Sequence, residues 1–212
     1  MRKVTIMAKS QLIKDIATNS ISIEESLQRL LLITSELDNQ LISKWILSEI
    51  NGYHRQATLP DYRRNIAYKL IYSGINGNFQ MKNQPLPLLH FSERFRDGIN
   101  ETNIYISIKS IERIILKNET VCEDLTYLAP DILKNTNIMC YKIFKEYSNL
   151  SLEHLLSNIK SKLILFLINL EHQFGNLDTL DIEKEIITTE KVKTLSNTFE
   201  QLMYDGKVDQ NE

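Results

Sequence analysis

The sequence predicts an α+β fold, with N-terminal helices and one long late helix packed on a small, mostly antiparallel sheet and a helical C-terminal extension. Three observations predict it. Apolar residues recur at helical spacing over the first fifty residues and again over residues 152–174. Between these stretches the period shortens to that of strands, in residues 66–72 (IAYKLIY) and 103–109 (NIYISIK). A further amphipathic segment then follows a polar run after Gly175.

Each element has a local reason. Leu12, Ile13, Ile16 and Ala17 share one face of a short first helix within residues 9–18. Ser22 caps the second, Glu25 completes a capping box, and Ile21 acts as the hydrophobic staple. Leu27, Leu30, Leu31, Thr34 and Leu37 line that helix. The third helix spans residues 38–50 with Leu41, Ile42, Trp45, Ile46 and Ile50 inward, and Asn51-Gly52 stop it. The first strand is followed by turn chemistry in residues 73–77 (SGING) and by residues 78–81, a hairpin. Pro85 and Pro87 keep residues 84–88 extended.

Residues 103–109 alternate Ile104, Ile106 and Ile108 against Tyr105 and Ser107, predicting a half-buried strand. Ser110 then caps a short helix to Lys117, residues 130–135 form another helical turn, and residues 139–146 read as a further strand. Ser151 opens the longest helix, whose stripe of Leu152, Leu155, Leu156, Ile159, Leu163, Phe166, Leu167, Leu170 and Phe174 ends at Gly175. The last segment, residues 192–203, sets Val192, Leu195, Phe199 and Leu202 on one face, and residues 205–212 read as a frayed tail.

Composition narrows the function classes. With 42% apolar and 25% charged residues, a chain of 212 residues builds a core that needs no metal or disulfide staple. A net charge of −2 argues against a globally basic nucleic-acid binder, so nucleic acid is possible but not indicated; a local patch would start at Tyr62, Arg63 and Arg64. Cys122 and Cys140 are the only cysteines, and the opening MRKVTIMAKSQ lacks a secretory apolar run, so free thiols and a cytoplasmic location are expected. The most apolar window, residues 161–171, is far shorter than the ~20 residues of a membrane span and is bracketed by Lys160, Lys162 and Glu171. No membrane span is expected.

The most distinctive segment is residues 45–64, WILSEINGYHRQATLPDYRR. Trp45, Glu49, Ile50, Asn51, Gly52 and Tyr53 are followed by Leu59, Pro60, Tyr62 and Arg63, and then by Asn83, Pro85, Leu86 and Pro87. Late in the chain, Ile159, Lys160, Lys162, Leu163, Leu167, Leu170 and Glu171 form a basic-then-apolar helical pattern. In this order the segments resemble the AbiTii family, named after an abortive-infection phage-resistance protein of lactic acid bacteria, over residues 8–175. The glycine-rich stretch around the hairpin is shorter than the family's, and the proline-leucine element runs on into Leu88-Leu89. The resemblance implies a bacterial or phage-related cytoplasmic protein acting in defence, in which infected cells stop growing before phage matures. It carries over no catalytic residue. Residues 1–178 are expected to form the family domain and residues 179–212 an amphipathic extension.

Two readings compete for the polar residues of this window. His54, Arg55, Asp61, Arg63 and Arg64 form the one cluster with chemical variety. A histidine acting as acid or base, with Arg63 and Arg64 stabilising a phosphate oxyanion beside His54, would suit metal-independent RNA cleavage. The other reading is a solvated loop in which Asp61 pairs with an arginine and Arg63 makes a structural hydrogen bond. Trp45, Asn51, Gly52, Tyr53, Pro60 and Tyr62 are read as structural, supplying core, cap and the approach to the first strand. His90, His154 and His172 stand in no ligand spacing, so no metal or cofactor is expected. Phosphate-loop, dinucleotide and nucleophile-elbow motifs are missing from the sequence, and Cys122 has the acidic neighbours Glu123 and Asp124.

The face of Val192, Leu195, Phe199 and Leu202 must bury itself on its own domain, on a second copy or on a companion defence protein. The function expected is therefore a non-enzymatic defence component that oligomerises or binds a partner. The alternative is a toxic effector with nuclease-type activity centred on residues 54–64.

Overall fold

The computed structural model describes residues 9–205, and the expected tail beyond Asp205 lies outside them. Among the described residues are eight α-helices and one four-stranded antiparallel sheet, the α+β class read from the sequence. The chain divides into two compact units. A helical unit holds the described residues up to Asp61, Tyr105–Ser110 and those from Leu156 onward; a sheet unit holds Tyr62–Ile104 and Ile111–Leu155.

In the helical unit, α1 (Gln11–Ala17), α2 (Ile23–Thr34) and α3 (Gln40–Asn51) follow the predicted periodicity. Ser22 Oγ accepts the Glu25 N–H at 3.0 Å, the capping bond that the sequence implied. The third helix starts two residues later than expected because Asp38 is left-handed, at φ +47°, and Asn39 takes the cap by accepting the Ile42 N–H at 3.1 Å. The late helix α7 (Asn149–Phe174) contributes its residues from Leu156. Helix α8 (Thr189–Tyr204) is capped by Thr188, and its buried face is Leu195, Phe199, Met203 and Tyr204. The Phe199 ring meets Trp45 and Phe166 edge to face, each with centroids 5.2 Å apart.

In the sheet unit the strands β1 (Tyr68–Asn76), β2 (Phe79–Pro85), β3 (Val121–Asp124) and β4 (Met139–Tyr147) lie in the order β2-β1-β4-β3, every neighbour antiparallel. Leu70 opposes Lys145, Tyr72 opposes Ile143 and Gly74 opposes Cys140. That face packs with Leu86, Phe91, Ile99, Leu125, Leu128 and Ile132, drawn from the connecting loops, α4 (Glu93–Asn100) and α6 (Ala129–Thr136).

The structure corrects several local expectations. Residues 73–76 are not a turn but the end of β1, and the hairpin turns at Gly77-Asn78. Gly74 serves close approach instead: a Cβ there would sit 2.0 Å from the Met139 carbonyl oxygen, at a bulge in both strand pairs. Residues 103–107 form no strand, because their backbone groups bond to non-strand segments. Ile104 N–H donates to the Arg63 carbonyl at 2.9 Å, and the Tyr105 carbonyl accepts from Tyr53 N–H at 2.7 Å. Ser107, not Ser110, caps α5 (Ile108–Leu116), accepting the Ser110 N–H at 3.3 Å. Ser148, not Ser151, caps α7, accepting the Ser151 N–H at 3.1 Å.

Candidate functional site

The end of α3 opens onto a cleft of about 500 Å³, lined within the helical unit by Asn51, Gly52, Tyr53, His54, Arg55, Tyr105, Ile106, Ser107 and Ser110. Its shape follows from the helix stop. Gly52 has φ +94° and its N–H caps α3 on the Ser48 carbonyl at 2.8 Å. A Cβ on Gly52 would lie 3.0 Å from the Tyr105 carbonyl oxygen, so the two segments meet at this glycine. Tyr53 N–H then bonds the same carbonyl at 2.7 Å, and the chain turns outward, exposing His54 and Arg55. On the opposite wall the Ser107 and Ser110 hydroxyls are 3.0 Å apart at the start of α5.

The motif residues behind the cleft serve the fold. Trp45 is buried against Phe199. Glu49 is fully buried and its Oε1 accepts the Tyr53 hydroxyl at 2.7 Å, which ties the glutamate and tyrosine of the motif together across one helical turn. Pro60 and Tyr62 are buried beyond the loop. Arg63 is fully buried and donates from Nη1 to the Ile104 carbonyl at 2.9 Å, the structural hydrogen bond weighed in the sequence. Of the three residues considered for nuclease chemistry, the structure thus puts only His54 in the cleft; Arg63 and Arg64 belong to the sheet unit and do not line it. Arg55 takes the cationic position there instead.

Of the four residues proposed as an interface, Leu195 and Phe199 lie fully buried within the helical unit, while Val192 and Leu202 are half-buried. Among the described residues no three histidine, cysteine or acidic side chains cluster for a metal ion.

Sequence reasoning missed a second polar centre, in the sheet unit. Lys145 is 1% exposed, yet its Nζ donates to the Glu101 carbonyl at 2.8 Å and lies 3.5 Å from Glu123 Oε2. The rings of Tyr68 and Tyr147 flank it, with centroids 5.2 and 5.8 Å away. Burial pulls the Lys145 pKa below its ordinary value, against the opposing attraction of Glu123. The Tyr147 hydroxyl is pushed up to about 12, first by burial and then by Glu123 and Tyr68. The signal was in the alternation: Ile143, Lys145 and Tyr147 are spaced by two, which sets the lysine on the core face of β4. With its ammonium buried and bonded, this centre ties the edge strand β3 to the sheet.

The AbiTii family model matches residues 9–194. Comparison with curated proteins and with solved structures finds no match. Among the described residues no helix is long and apolar enough to cross a membrane.

Proposed function

The chain belongs to the AbiTii family, which points to abortive-infection defence against phage, and from that premise we propose that it acts as a cytoplasmic, non-enzymatic component that assembles with itself or with a companion protein. The observation that carries this reading is the use made of the motif's charges. Glu49 and Arg63, both 0% exposed, are committed to Tyr53 and to the Ile104 carbonyl, so the family's most distinctive ionisable residues hold the fold and do not face a substrate.

A contact surface fits the hairpin end of the sheet. Phe79 is 73% exposed there, on the face it shares with Asn76, while Met139, also exposed, opposes Ile75 and so projects from the other face. Tyr141, also exposed, lies at the neighbouring bulge. Helix α8 offers a partner only the half-buried Val192 and Leu202.

The test combines light scattering with an RNA digest on the purified full chain. A mass above that of the monomer, reduced by Phe79→Ser, together with intact total RNA, is the expected result. RNA cleavage that disappears in His54→Ala would replace this reading with the nuclease-type one, which keeps a single supporting observation, the position of His54 and Arg55 in the cleft.

A further inference from the structure

We infer that the cleft at the end of α3 is a nucleotide-binding site, in which Arg55 and His54 take a phosphate and Tyr105 stacks against the base. This goes beyond the assembly reading and does not depend on it. The chain carries 27 acidic residues, yet none of the nine that line the cleft is acidic. The side chains that reach an anion there are a guanidinium, an imidazole and the Asn51 amide, while the Ser107 and Ser110 hydroxyls bond each other at 3.0 Å. The side chains of His54 and Arg55 are exposed and engage no partner among the described residues. This contrasts with Arg63, which is fully buried on the Ile104 carbonyl, and with Arg29, which is paired to Glu25 at 2.6 Å.

The opposite wall begins α5 at Ser107, and the first turn of a helix favours negative charge, which adds to the two side chains. The lining excludes other ligand classes. A metal cation finds no carboxylate or thiolate there, and a bare anion would leave most of about 500 Å³ unfilled. A phosphate joined to a flat, hydrogen-bonding ring fills the space. The half-buried Tyr105 supplies an aromatic surface of the kind on which bases stack, worth about 1–3 kcal/mol per base. Two sources share this chemistry, a free mononucleotide and the terminal nucleotide of an RNA.

Calorimetric titration of the full chain with inorganic phosphate, AMP and a short oligoribonucleotide bearing either a 5′-phosphate or a 5′-hydroxyl distinguishes them. AMP is expected to bind more tightly than inorganic phosphate, and Arg55→Ala to weaken AMP about tenfold, the loss of one charge-assisted hydrogen bond. Lys193→Ala, an exposed cation on α8, serves as the control and leaves binding unchanged. Tighter binding of the 5′-phosphorylated oligonucleotide than of AMP assigns the site to RNA ends; the reverse order assigns it to free nucleotides. The inference is overturned if no probe binds at millimolar concentration, if phosphate binds as well as AMP, or if AMP affinity survives in folded Arg55→Ala and His54→Ala. Cleavage of the oligonucleotide during the titration would leave the site standing and overturn the non-enzymatic reading instead.

Discussion

Each unit of the molecule buries more than one charged side chain, and Glu171 in the one and Lys145 in the other are treated in opposite ways. In the helical unit Glu171 is 5% exposed and its carboxylate is saturated: Lys9 Nζ reaches it at 2.8 Å, Ser10 N–H at 2.6 Å, and the Ser10 hydroxyl also donates to it. Burial alone would raise its pKa, but the donors from Lys9 and Ser10 outweigh burial and hold it below the usual carboxylate range. In the sheet unit Lys145 has one carbonyl, one half-exposed carboxylate and two ring faces, and burial wins. Both pKa values are lowered, yet the meaning differs. At neutral pH the lowered carboxylate is a stabilising ion and the lowered ammonium a costly one.

The sharpest way to break this comparison is to remove the glutamate. The Ser10 hydroxyl links two segments, accepting the Leu177 N–H at 2.9 Å while it donates to Glu171. Glu171→Ala strands the buried Ser10 N–H and hydroxyl and releases Lys9, and is expected to destabilise by about 2–4 kcal/mol in urea unfolding. The wild-type contribution should be complete above the unfolded carboxylate value of 4.5 and be lost as pH falls through the lower folded value. An unfolding midpoint that does not drop more steeply with acid in wild type than in Glu171→Gln would show that the clamp contributes nothing.

Removing the partner of the lysine has a smaller expected effect. Glu123 is 51% exposed, so its attraction is screened, and Glu123→Gln should cost less than about 1 kcal/mol. Because Glu123 opposes the effect of burial, its removal should lower the Lys145 pKa further. Lysine side-chain NMR titration reads this directly. A pKa that rises in Glu123→Gln would mean that the carboxylate does not act on the ammonium.

Legibility from the sequence follows the same division. The helical unit was largely legible because apolar periodicity and caps are local: Ser22, Gly52 and the stripe ending at Phe174 lie where the spacing puts them. Errors at helix starts, in either unit, were shifts to a neighbouring candidate of the same chemistry, Ser148 for Ser151 and Ser107 for Ser110, since several serines precede each helix and only geometry selects one. The sheet unit was harder to read. Strand β3 (VCED) buries little and carries no alternation, so it exists only through pairing with β4. Gly74 read as a turn residue because its real constraint, the Met139 carbonyl, is 65 residues away. The cleft joins both kinds of information. His54 and Arg55 stood out in the sequence, but Tyr105, Ser107 and Ser110 reach them only through the tertiary bond of Tyr53 to Tyr105.

The smallest expected effect is the most diagnostic. Lys145→Met keeps most of the side chain's length and volume while removing the charge. If burial of the ammonium is a net cost, the variant should lie within about 1 kcal/mol of wild type, on the stabilised side. The slope with pH should change as well. Unfolded lysine holds its proton up to about 10.5, while the folded group releases it sooner, so wild-type stability should rise with pH between those two values and the methionine variant should stay flat. A loss of several kcal/mol in Lys145→Met at neutral pH would reverse the comparison. Lys145 would then hold β3 through Glu123 as firmly as Glu171 holds Ser10, and its two tyrosines would have to contribute more than ring contact supplies.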